Sequence, residues 1–137
     1  MSKDLSLNSR SESTWEFLLK KYRHCRQSHV QCNPRKSSSH SIYPSRLLNI
    51  GLAQHSLVVL CNTELLPNQD YVCLSHCWGD TRPLALNKTT YCTLVAGVHL
   101  EALPKTFQDS ITVARSLEIQ YIWIDSLYAA LVLDMYD

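Results

Sequence analysis

The spacing of apolar residues changes along the chain, and each change marks a different kind of element. Trp15, Leu18, Leu19, Tyr22 and Cys25 recur at helical spacing while Lys20, Lys21 and Arg23 take the other face, the pattern of a short amphipathic helix. Ser13 followed by Glu16 predicts its start as a capping box, each side chain covering an exposed N–H. Residues 33–46, with two prolines and a serine run, read as a loop. From there the pattern turns strand-like. Leu47–Ile50 and Leu57–Cys61 predict a hairpin around Gly51, and Tyr71–Ser75, apolar on both faces until Ser75, predicts a central buried strand. A loop over 79–90 leads into a weak helix over 88–95 that stops before Gly97. Pro104 suits the first position of a further helix, whose Phe107, Ile111, Ala114 and Leu117 face a core. The apolar run Tyr121–Asp125 predicts a last strand that ends on an acid.

Strand, helices, then strand makes a βαβ crossover with two parallel strands. The fold class is therefore α/β, a partial parallel sheet preceded by an N-terminal helix and a hairpin. The expected organisation is a disordered tail over 1–12, a helix and loop over 13–46, and the α/β domain over 47–137. Ligand sites of open α/β sheets lie beyond the carboxyl ends of the strands. The residues there are Ser75, His76, Trp78, Gly79 and Asp80 after one strand, and Asp125 and Ser126 after the other. These polar ends of apolar strands define the candidate pocket.

Composition narrows the function classes. The chain has 137 residues, 45% hydrophobic and 18% charged, which is ordinary for a globular domain and too apolar for disorder throughout. No apolar run reaches the roughly 20 residues of a membrane span, and the N-terminus lacks the apolar core of a secretory signal. A cytoplasmic protein with no membrane partner is expected. Net charge is +1, but residues 1–50 hold nine Lys/Arg against three Asp/Glu, and the remainder has the opposite bias. The basic residues mix with serine and lack interleaved aromatics that stack bases, so a solvated basic face is expected and no nucleic-acid partner. Six cysteines without an export signal read as reduced thiols, with Cys61 and Cys73 as small core residues.

The runs YVCLSHCWGD (71–80), LALN (84–87) and LPKTFQDSITVARSLEIQYIWIDSL (103–127) closely resemble the fungal heterokaryon incompatibility (HET) domain. That domain reads roughly Y-x-x-L-S-Y-C-W-G, then L-x-x-N, then L-P-x-T-F-x-D-A-I and Y-L-W-I-D-S-L-C. Upstream, a helical Trp, then Cys25, His29, Cys32 and PSRLLNIG (44–51), is similar too. The resemblance implies a TIR- and flavodoxin-like sheet and a role in fungal non-self recognition and programmed cell death. It implies other incompatibility proteins, or further copies of the chain, as partners. By analogy with TIR domains that cleave NAD with a glutamate, it also raises a nucleotide-cleaving enzyme as the alternative. The sequence departs from the pattern at His76, where the family has Tyr, and after D-S-L, where Tyr128 replaces Cys. The family's later D-W-x-x-E segment has no counterpart in AALVLDMYD (129–137), so the domain reads as truncated on its C-terminal side by a missed splice site or gene decay. Such an incomplete sheet is expected to leave an edge or face open, favouring self-association.

Cys25, His29 and Cys32 are zinc-type ligands, with His24 and His40 nearby, but their spacing lacks paired C-x2-C units; an ordinary helix end and no metal is the expectation. Cys73 and Cys77 are expected to pack in the core. Ser75, His76 and Asp125 contain the residue types of a hydrolytic triad. Adjacent strand residues point to opposite faces, however, which separates Ser75 from His76, and no G-x-S-x-G elbow is present. Asp125 is expected to accept hydrogen bonds from loop N–H groups or Ser126. Trp78–Gly79 suits a tight turn or a ligand platform, Asn87 a tie to a backbone amide, Trp123 the core, and Arg115 solvent. No cofactor is expected. A self-associating signalling module without catalysis is favoured over the enzyme, because the D-W-x-x-E segment has no counterpart and Asp125 is then the one carboxylate placed at the strand ends.

Overall fold

A computed structural model describes residues 8–32, 43–52, 56–66, 69–77, 79–80 and 84–128, with the Leu65 side chain left aside. Most of the expected tail, most of the loop over 33–46, Trp78, His40 and everything after Tyr128 lie outside the described residues. The chain divides into two compact units, Met1–Ser41 and Ile42–Asp137.

In the first unit, helix α1 (Glu12–Ser28) is followed by a 3-10 turn, Val30–Cys32. The helix is capped two residues earlier than the sequence pattern indicated. Ser11 has extended φ/ψ, and its hydroxyl accepts from the Thr14 N–H at 3.3 Å. The Ser11 N–H is itself tied to the Asn8 carbonyl at 3.0 Å, so a turn sets Ser11 at the cap and Ser13 falls inside the helix. No residue of α1 is buried.

The second unit is mixed α/β. Its elements are β1 (Arg46–Asn49), β2 (Leu57–Asn62), β3 (Tyr71–Leu74), α2 (Lys88–Ala96), β4 (Val98–His99), α3 (Lys105–Ser116) and β5 (Tyr121–Ile124). The described strands form one sheet in the order β3-β5-β1-β2-β4. β1 and β2 are the expected antiparallel hairpin. At its turn Gly51 has φ +63°, and the Asn49 side chain accepts from the Gly51 N–H at 3.0 Å. β3 and β5 are parallel neighbours, with Leu74 opposite Ile124, as the crossover pattern requires. The other pairings, β1 with β2 and β5 and β2 with β4, are antiparallel.

Strand alternation assigns the two faces. Leu48, Val58, Leu60, Ile122 and Ile124 turn to one face, where they pack with Leu86, Leu94, Leu103, Phe107, Ile111 and Ala114 of the helical layer. Asn87 caps α2: its side chain accepts from the Thr90 N–H at 2.9 Å while the Thr90 hydroxyl accepts from the Asn87 N–H at 2.8 Å. Pro104 sits one position before α3, as its cap residue, and its carbonyl accepts from Phe107 and Gln108. The opposite face is less covered. Leu47 and Tyr121 are buried there, Cys61, Tyr71 and Trp123 half-buried, and Cys73 exposed. Burial pushes the Cys61 thiol upward, against a lowering contact with the Asn49 backbone, and burial likewise raises the Tyr121 hydroxyl.

Three expectations change as a result. β3 is an edge strand among the described residues, not a central one. An apolar strand pattern reports what covers a strand's faces; lateral position depends on backbone hydrogen bonds that every residue type offers. Cys73 is exposed and Trp123 half-buried, because the second face lacks a full covering layer. Arg115 is not simply solvated. It lies in the last turn of α3, and its Nε donates to the Ile50 carbonyl at 3.1 Å, joined by Nη2 on the same oxygen. That fork ties the helix end to the close of the hairpin strand.

Candidate functional site

The parallel register sets the two strand tips side by side. With Leu74 level with Ile124, the Asp125 N–H donates to the Leu74 carbonyl at 3.4 Å, and Ser75 and Asp125 both leave the sheet at the same end. Past β5 the backbone turns sharply, the Tyr128 N–H donating to the Asp125 carbonyl at 3.1 Å. The Asp125 carboxylate serves this turn: Oδ1 accepts from the Ser126 N–H at 2.8 Å. The same oxygen lies 3.2 Å from His76 Nδ1, with 14% of the His76 side chain and 27% of the Asp125 side chain exposed. Nδ1 is buried and lacks an aligned hydrogen bond among the described residues, so the contact with Asp125 is one of proximity.

The imidazole is positioned from the other side by α3. The Phe107 ring, 1% exposed, meets it edge to face, with centroids 5.5 Å apart at 89°. Ser126, also 1% exposed, locks a third segment into place: its hydroxyl donates to the Leu84 carbonyl at 2.9 Å, and its own carbonyl accepts from the Leu86 N–H at 3.4 Å. Residues 84–86 thereby run as a strap across the exit of β5 and deliver Asn87 to the start of α2.

Of the residues singled out from sequence, the fold brings together His76, Asp125 and Ser126. Ser75 is exposed and makes no hydrogen bond to His76, so the fold does not join these two residues. Gly79 is exposed with φ +63°, a conformation that favours glycine, and nothing lies near the position a Cβ would take. Asp80 is exposed, and Trp78 is outside the described residues. Cys77, like Cys73, is exposed rather than packed in a core. Two participants were not legible as site residues: Phe107 read only as a core position, and the strap at 84–86 carried no signal beyond Asn87. A shallow hollow on the sheet is lined by Arg46, Leu47, Leu60, Trp123, Leu127 and Tyr128. It is separate from the His76–Asp125 pair, and the Arg46 guanidinium lies 5.8 Å from the centre of the Tyr128 ring there.

In the first unit the Cys25, His29 and Cys32 donor atoms all lie within 4.8 Å of one another. The helix provides the first step, since residues four apart share a face, and the His29 N–H closes on the Cys25 carbonyl at 3.1 Å. The 3-10 turn provides the second: the Cys32 N–H donates to the His29 carbonyl at 3.0 Å, returning its thiol to 3.9 Å from His29 Nδ1. The adjacent Cys32 thiol pushes the Cys25 thiol upward, chiefly through their hydrogen bond.

No helix among the described residues is long and apolar enough to cross a membrane. No curated protein and no solved structure matches the chain. A family model, described as Heterokaryon incompatibility protein (HET), matches residues 71–128. The matched segment opens with β3 and closes in the turn after β5, so it contains both strand tips, the strap, α2 and α3. The segment that builds the His76–Asp125 site is therefore the one that matches the HET family model.

Proposed function

We propose that this protein is a non-self recognition and cell-death signalling module of fungi that acts by association, with other incompatibility proteins or with further copies of itself, rather than by catalysis. The HET match over residues 71–128 carries the reading. The way the site is built favours association. Asp125 and His76 are engaged with each other, with the Ser126 amide and with Phe107, which makes them a clamp on the strand tips. β3 meanwhile leaves one side of its backbone without a neighbouring strand among the described residues, with Cys73 exposed on it. Edge strands of this kind template pairing with another chain.

The test is light scattering of the purified protein across a concentration series, alongside inducible expression in a filamentous fungus. Concentration-dependent assembly and growth arrest are expected, both diminished by Cys73→Lys, which places a charge on the open edge. A monomer at all concentrations that still arrests growth overturns the association mechanism. A second reading, a TIR-like enzyme that cleaves NAD, has in its favour a carboxylate, Asp125, at the carboxyl ends of parallel strands. Steady nicotinamide release from NAD, abolished by Asp125→Asn, would establish that reading in place of the first.

A further inference from the structure

We propose that Cys25, His29 and Cys32 form a zinc site, two thiolates and one imidazole with water completing the tetrahedron, that fastens the C-terminal end of α1. The irregular sequence spacing argued against a metal. Three-dimensional placement reverses that argument, because a helix turn and a 3-10 turn together do what a C-x2-C loop does elsewhere.

The donor chemistry is specific. Thiolate and imidazole together select zinc over magnesium or calcium, which prefer oxygen. The spacing is already close to what the ion requires. With Zn–S near 2.3 Å and Zn–N near 2.0–2.1 Å, tetrahedral ligands lie about 3.5 Å apart, and the Cys32 Sγ to His29 Nδ1 separation is 3.9 Å. All three donor atoms lie within 4.8 Å of one another, which leaves about an ångström to close. Both thiols are free, and Cys32 and His29 are exposed, so the ion has a path in. Zinc binding would release one proton from each thiol as two Zn–S bonds form, and the net charge at the site is then neutral.

The location also explains what a metal would do. α1 is a 17-residue helix with no buried residue. Helices gain most of their stability from packing an apolar face, and small units that lack a core are commonly stapled by disulfides or metals. A clamp joining position 25 to the turn at 29–32 supplies such a staple at the end of the helix.

The experiment uses the full-length chain, reduced and stripped with a chelator. Zinc chloride is titrated in competition with a chromophoric chelator, and cobalt(II) is substituted to read the ligands optically. One metal per chain and a cobalt–thiolate charge-transfer band are expected. Zinc should also slow alkylation of Cys25 and Cys32 but not of exposed Cys73, Cys77 and Cys92, which serve as internal controls in the unaltered protein. Cys25→Ser and Cys32→Ser should each weaken binding by about 100-fold or more, beyond the roughly 10- to 100-fold typical of losing a supporting residue. A cobalt spectrum without thiolate bands, equal alkylation of all five thiols with and without zinc, or a Cys25–Cys32 disulfide persisting under stoichiometric zinc in reducing buffer would each overturn the proposal.

Discussion

The edge-to-face contact between Phe107 and His76 is what couples helix α3 to the tips of the parallel strands, and it is measurable. Phe107→Ala is too blunt a probe. Removing a fully buried phenylalanine costs about 3–5 kcal/mol, a large part of the roughly 5–15 kcal/mol that holds a typical domain folded. Phe107→Leu keeps most of the volume, so its packing cost stays below about 1.5 kcal/mol, while it deletes the ring. An aromatic pair at 5.5 Å and 89° contributes about 0.5–1.5 kcal/mol beyond area burial. Combining Phe107→Leu with His76→Ala in a double-mutant cycle isolates that interaction, because the loss of the His76–Asp125 contact occurs in both arms and cancels. Urea unfolding followed by circular dichroism on the four proteins should give a coupling of about 1 kcal/mol. Independent sites add to within about 0.3–0.5 kcal/mol. A coupling below that range would refute the claim that α3 positions the imidazole energetically.

Other outcomes follow from single contacts. Arg115→Ala removes a charged fork from the buried end of Ile50 and should cost about 1.5–3 kcal/mol; about 4–8 °C of Tm is lost per kcal/mol in a domain of this size, and a melt unchanged within error would show that the carbonyl finds another donor. Asn87→Ala deletes the α2 cap and should destabilise by about 1 kcal/mol, with Asn87→Ser recovering most of it in the same melt. The pH profile should slope downward on the alkaline side. Cys61 and Tyr121 have folded-state values raised above their ordinary 9.0 and 10.0, so the folded state holds their protons more tightly than the unfolded chain. That contribution is complete below about pH 9 and is lost as pH rises through the folded values. Cys61→Ala should flatten the earlier part of the fall in Tm, and an unchanged slope would contradict the assignment.

The chain's own pattern determined the elements and the way β3 and β5 run. Apolar segments of strand length around helical periods leave a parallel crossover as the connection, and the polar residues just past each segment must then gather at one end of the sheet. Ser126 and Asp125 behave as their position after an apolar strand implies, closing the turn there. Burial of Phe107, Ile111 and Ala114 was equally legible, because helical spacing alone selects a buried stripe.

Tertiary structure decided what depends on partners distant in sequence. Strand order is set by backbone pairing that side-chain pattern does not encode, which put β3 at an edge and left Cys73 in solvent. Arg115 looks solvated on a helix wheel, yet its reach of several ångströms finds Ile50, 65 positions away. Phe107 became part of the site only when α3 folded over the strand tips. Cys25, His29 and Cys32 converged because a helical turn and a tighter 3-10 turn meet at His29, and two short periods joined end to end bring together residues whose linear spacing resembles no familiar ligand motif.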